Sequence, residues 1–222
     1  IAVRDEEMYE FWINFRLIAD IALNMDPSSQ RAADALYVAN NIINNYNIEP
    51  RGKASSLERP SLQKCQKIAR EFLSQKNGEG THQIHAIGQS HLDAVWLWNY
   101  AESHRKAART FATQLHLMDM YPSYKFAQSS AFFYKWVQEE HPSLFERIKQ
   151  KVKEGQWIIV GGAMLESCGI LPGSESFVRQ YLYGQRYFLK EFGKSATEAW
   201  MPDSFGYNAA LPMIFKSAGI SR

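Results

Sequence analysis

The sequence predicts an α/β fold in two parts. A helical segment occupies residues 1–80, and residues 81–222 form the first part of a parallel sheet flanked by helices. Two observations carry this reading. Apolar residues recur at three- and four-residue steps in successive stretches before residue 76, the mark of amphipathic helices. After the run Lys76-Asn77-Gly78-Glu79-Gly80 the rhythm changes to strand, helix, strand, helix with short connections. Such alternation gives a parallel sheet, as a barrel or as an open doubly wound sheet. Four strands do not close a barrel, so the sheet is expected to continue in sequence not present here.

The first helix is expected over Asp5 to Leu23, with Met8, Trp12, Phe15, Ile18, Ala19 and Ala22 inward, and Asp26-Pro27-Ser28-Ser29 ends it. The second carries Ala32, Leu36, Ala39, Ile43 and Tyr46 on one face and stops before Pro50. After a loop around Gly52, the third starts near Pro60 or Ser61, residue types suited to a helix start, and runs through Leu62, Cys65, Ala69 and Phe72. In the second part, strands are expected at Ile84 to Gly88, Tyr124 to Ser129, Trp157 to Val160 and Glu198 to Met201. Between them lie helices at Ala101 to Met120, Phe132 to Glu139, Ser143 to Val152 and Ser174 to Phe192, and a last one at Leu211 to Ala218. The inner positions of the first of these are Ala108, Phe111, Leu115 and Met118; those of the long fourth are Phe177, Tyr181, Gly184 and Phe188.

Composition removes several function classes. With 25 basic and 23 acidic side chains the net charge is +2, which gives no electrostatic case for a nucleic-acid partner. No apolar stretch approaches the ~18 to 20 residues of a membrane span. Cys65 and Cys168 lie in segments of different character, which speaks against a disulfide framework and is compatible with a reducing compartment. The chain opens on Ile1 without a charged-then-apolar leader, as expected of a segment from inside a longer polypeptide.

In parallel α/β sheets chemistry collects at the carboxyl edge, and the polar breaks fall there. His91 and Asp93 follow the first strand, Gln128 to Ser130 the second, Gly161 to Glu166 the third and Asp203 the fourth. His91 and Asp93, two apart, project to one side of an extended segment, and imidazole plus carboxylate can share a cation. Alone, a His-x-Asp reads rather as a core histidine beside a loop acid, and Asp203 after Pro202 equally as a helix cap. Placed on one sheet edge, the three make a donor set suited to a divalent ion, most naturally zinc. Trp96, Trp98, Tyr100, Phe205 and Tyr207 cluster beside these acids, and aromatic planes stack on the C–H faces of sugar rings. Trp98 is expected in the core, and Trp96 and Phe205 at the pocket. Glu166 is a further candidate pocket acid, whereas Glu102 and Glu175 read as first-turn helix residues. His82, His85, His104, His116 and His141 read as surface or capping residues, and Cys168 shows no sign of activation.

Taken together, S-H-L-D-A-V-W-L-W (Ser90 to Trp98), Val160-Gly161-Gly162 with Glu166 and Leu171-Pro172, the run Phe177 to Phe192, E-F-G-K (Glu191 to Lys194) and W-M-P-D-S-F-G-Y (Trp200 to Tyr207) resemble glycoside hydrolase family 38 α-mannosidases. The similarity is greatest to the cytosolic and vacuolar branch. The resemblance implies a seven-stranded β/α barrel, an active-site zinc ion and retaining cleavage of α-mannosidic bonds in oligosaccharides. His91 and Asp93 match the first two zinc ligands. Asp203 matches the aspartate that binds zinc and attacks the anomeric carbon, and Trp96 and Phe205 match the mannose subsite. The fourth zinc ligand, a histidine, and the acid/base aspartate fall downstream of Arg222, so the chain alone is expected to turn over little or no substrate. Where the family shows Trp, an acid and Asn around Glu166, this sequence has Met164, Cys168 and Ile170. The expected partner is a mannose-containing oligosaccharide, with no nucleic acid and no membrane; a homo-oligomer stays open. The expected compartment is the cytoplasm, with vacuole or lysosome as the alternative. Rival readings are a metal-dependent carbohydrate deacetylase, in which the metal activates water, and a noncatalytic binding remnant.

Overall fold

The computed structural model describes residues 4–47, 58–75 and 84–222. The chain divides into two compact units, Ile1–Gln83 and Ile84–Arg222. The expected loop around Gly52, the run Lys76 to Gly80 and His82 lie outside the described residues.

The first unit holds three helices: α1 (Glu6–Asn24), α2 (Gln30–Asn45) and α3 (Glu58–Leu73). Side-chain oxygens start the first two. Asp5 accepts the Met8 N–H and Ser29 accepts the Ala32 N–H, satisfying donors that no helical carbonyl reaches. The core joins Phe11, Ile18, Ala35, Ala39, Ile42, Leu62, Cys65, Ala69 and Phe72. On α3 this is the expected stripe. On α1 and α2 it differs: Trp12, Leu36 and Ile43 are exposed, and Phe11, Ala35 and Ile42 take the inward places. On α2 the expected Ala32 and Ala39 stay buried, and Ala35 and Ile42 replace their neighbours Leu36 and Ile43 beside them.

The second unit begins with β1 (Gly88–Gln89), then α4 (Tyr100–Met120), β2 (Phe126–Gln128), α5 (Ala131–Glu140), α6 (Pro142–Lys153), β3 (Trp157–Ile159), α7 (Ser174–Phe192) and α8 (Leu211–Ser217). Among the described residues the sheet has three strands in the order β1-β2-β3, all parallel. The first strand is shorter than expected and starts later. Ile84 and Ile87 are exposed, so among the described residues the apolar run before Gly88 is not buried as a core strand would be. The expected fourth strand is not a strand. Gly161 at φ +85°, a conformation that favours glycine, turns the chain out of β3, and its N–H donates to Glu198 O at 2.8 Å as the single ladder-like bond on that side. The stretch from Thr197 instead receives the end of the chain, with Ala199 N–H donating to Arg222 O and Ser221 N–H to Thr197 O.

The core of this unit centres on Phe111, Tyr134, Trp157 and Phe188. Their rings meet edge to face, as Phe111 and Trp157 do with centroids 5.1 Å apart. Inside it, Trp157 Nε1 donates to Tyr134 Oη at 2.8 Å, and Tyr134 Oη donates to Gln128 O at 3.0 Å. This chain of donors satisfies each polar atom it touches and ties α5 to β2 and β3. Burial pushes the Tyr134 phenol well above the usual tyrosine range, so it stays protonated. Phe177, Tyr181, Leu211, Ile214 and Ile220 form a second cluster under α7 and α8. Among the described residues no helix is long and apolar enough to cross a membrane.

Candidate metal centre and cleft

The parallel strands of the second unit end on one side, and the segments that leave them build a cleft of about 720 Å³. It is lined by His91, Asp93, Trp96, Trp98, Glu166, Cys168, Asp203 and Phe205, among others. Three local devices hold these segments. After β1, Trp98 Nε1 donates to Ser103 Oγ at 3.0 Å, and the same hydroxyl donates to Ala94 O, which fastens the His91 loop to the first turn of α4. After β3, the loop is clamped between helices: Ala131 and Phe132 N–H donate to Ala163 O and Met164 O, while Met164 and Leu165 N–H donate to Gln180. The turn that carries Asp203 is stitched to this loop, with Ser204 Oγ donating to Ser167 O and Asn208 N–H to Gly169 O.

His91, Asp93 and Asp203 each offer one ligand atom, and all three atoms lie within 4.8 Å of one another. His91 Nε2 is 3.4 Å from Asp93 Oδ1 and 3.4 Å from Asp203 Oδ2. These separations are long for a charge-assisted hydrogen bond. They match the edge of a tetrahedron, about 3.3 Å, drawn by ligand bonds of about 2.0 to 2.1 Å. Behind the ring, His91 Nδ1 faces Glu166 Oε2 at 3.1 Å. If Nδ1 carries the proton toward Glu166, the Nε2 lone pair faces two carboxylate oxygens, an arrangement that a cation relieves. The chemistry of the set, one imidazole nitrogen and two carboxylates, therefore fits a divalent ion. Asp203 caps no helix: α8 begins at Leu211 behind Ala210.

Trp96 and Phe205, 64% and 83% exposed, stand on the cleft wall, and Trp96 meets Trp98 edge to face with centroids 5.5 Å apart. Trp98 is only partly buried and also lines the cleft, contrary to the expectation of a core residue. Its far face carries the Lys106 ammonium at 4.2 Å from the ring centroid. His104 stacks on Trp136 and pairs with Glu140, away from the cleft. What sequence reasoning missed is the reach of Glu166, expected only as one more pocket acid. It contacts His91 and also accepts the Asp203 N–H at 2.9 Å through Oε1. Its place four residues beyond a strand-ending double glycine was the available signal.

Comparison with known proteins finds relatives along the length of the chain. The profile described as "Glycosyl hydrolases family 38 N-terminal domain" matches residues 81–222. "Alpha-mannosidase G" of Dictyostelium discoideum is 43% identical over 99% of the chain and 20% of its own length. An "Alpha-mannosidase" of Saccharomyces cerevisiae is 33% identical over 98% of the chain and likewise 20% of its own length. The crystal structure of an alpha-mannosidase from Enterococcus faecalis superposes with a TM-score of 0.56 at 25% identity, covering 60% of this chain and 15% of that one. The chain thus spans about a fifth of the length of the curated relatives it matches.

Proposed function

The chain belongs to glycosyl hydrolase family 38, and on that premise we propose that it supplies the metal-binding and nucleophilic half of a retaining α-mannosidase acting on mannose-containing oligosaccharides. The observation that carries this reading is the convergence of the neighbouring His91 and Asp93 with Asp203, more than a hundred residues further along the chain, on one point of an aromatic-walled cleft.

His91 Nε2, Asp93 and Asp203 would hold a zinc ion, which when bound supplies a Lewis acid for sugar hydroxyls and a fixed positive charge beside the Asp203 carboxylate. Asp203 is half exposed, at 51% of its side-chain surface, and so can be reached by a ring lying in the cleft. Trp96 and Phe205 would flank that ring. In the first step Asp203 attacks the anomeric carbon as the bond to the leaving oxygen breaks. A second carboxylate, about 5 to 5.5 Å from the first in retaining enzymes, gives that oxygen its proton and later takes one from the attacking water. Within this chain Asp93 belongs to the cation set, and Glu166 is engaged by His91 Nδ1, the Asp203 N–H and Ser204. The family resemblance implies that the acid/base is an aspartate further downstream.

A fluorinated mannoside that traps the glycosyl intermediate tests this in protein extended through the downstream catalytic region. Peptide mass analysis is expected to locate one mannosyl adduct on Asp203. Turnover without any adduct, or an adduct on another residue, would sink the proposal; a deacetylase-type mechanism requires neither an adduct nor cleavage of the mannoside, since its water attacks an acyl group.

A further inference from the structure

Among the described residues outside the cation set, Glu166 touches two of its members, and it does so with separate oxygens. Oε2 lies 3.1 Å from His91 Nδ1, while Oε1 accepts the Asp203 N–H at 2.9 Å and lies 3.3 Å from Ser204 Oγ. Only 10% of the Glu166 side chain is exposed, so water competes little for these contacts. Its own backbone is anchored: the Glu166 N–H donates to Ser130 Oγ at 3.2 Å. Ser130 holds that position at φ +66°, a strained conformation for a residue with a Cβ. The residue before Glu166 is fixed as well, by Leu165 N–H donating to Gln180 Oε1 at 3.0 Å.

On the reading of the cleft given above, we propose that Glu166 is a positioning residue that sets the tautomer of His91 and the placement of Asp203 together. An ionised carboxylate at Nδ1 keeps the proton on that nitrogen and leaves Nε2 bare toward the cation position, as outer carboxylates do for metal-binding histidines generally. The same group pins the peptide N–H of Asp203, which follows in sequence by 37 residues. Both neighbours are donors, so both oxygens must accept. A carboxylate meets that demand and an amide does not. In Glu166→Gln, the NH₂ group must face either His91 Nδ1 or the Asp203 N–H. The first choice drives the proton to Nε2 and blocks it; the second sets donor against donor.

Two measurements test this. In metal-free wild-type protein, nitrogen NMR of the His91 ring is expected to show the Nδ1–H tautomer; an Nε2–H ring would overturn the proposal with no variant needed. Zinc titration by calorimetry is then expected to give an affinity about 10- to 100-fold weaker for Glu166→Gln than for wild type, with the His91 ring moved toward Nε2–H. Equal affinities within threefold would overturn the positioning role and leave the proposed function standing. Absence of zinc binding by the wild type would remove both.

Discussion

At the residue scale, the smallest change with the largest expected consequence away from the cleft is Tyr134→Phe. It removes one oxygen that serves two partners, stranding the Trp157 Nε1–H inside the core and leaving the Gln128 carbonyl with the Val160 N–H alone. Leaving buried groups unpaired costs about 1 to 3 kcal/mol, so denaturant unfolding should show a loss of that size. The pH dependence follows from the same burial. In the folded protein the Tyr134 phenol ionises far above its unfolded value, near 10. The folded state therefore holds a proton that the unfolded state has lost in strong alkali. That contribution is complete below pH ~10 and is lost as pH rises beyond it, and the loss should be shallower in Tyr134→Phe. How much of the site could be read from residues alone is clear at this scale. The meeting of His91, Asp93 and Asp203 is expected from strand ends sharing an edge; the three side chains do converge, although the stretch before Asp203 forms no strand. The bridging by Glu166 was not legible, because it depends on a loop path fixed by Ser130 in a conformation that no local pattern announces.

At the element scale, α7 does the most to place the cleft. It passes the loop after β3 so closely that a Cβ on Gly184 would fall onto Gly162 O and Ala163 C, backbone atoms that cannot step aside. Gly184→Ala is expected to cost about 1 to 3 kcal/mol by overpacking. It should also weaken zinc binding, because the displaced loop carries Glu166; a melting curve and a calorimetric titration on one preparation check both. Unaltered zinc affinity in a measurably destabilised variant would show that the loop moves independently of the helix. The sequence marked Gly184 as an inner position of α7, and the helix runs over the expected residues. Strands were harder. β1 and the stretch from Glu198 were legible as apolar runs, but strand pairing depends on neighbours remote in sequence, and each run has too few of them here to form a full ladder.

At the scale of the whole molecule, two separate cores imply two separable consequences. Ile18 is fully buried among α1, α2 and α3. Ile18→Ala is expected to destabilise the helical unit by about 2 to 5 kcal/mol, while zinc affinity stays that of the wild type. A large fall in affinity would mean that the first unit helps build the site. The family 38 N-terminal domain match covers the second unit, and the proposed chemistry rests on whether that unit would gather an ion where the three side chains meet. Zinc-edge X-ray absorption on protein carrying one equivalent of zinc tests this most directly. The account predicts nitrogen and oxygen neighbours at about 2.0 to 2.1 Å, one of them imidazole, with the shell lost in His91→Ala. A sulfur neighbour at about 2.3 Å, which Cys168 on the cleft wall could supply, or an unchanged shell in His91→Ala, would contradict it.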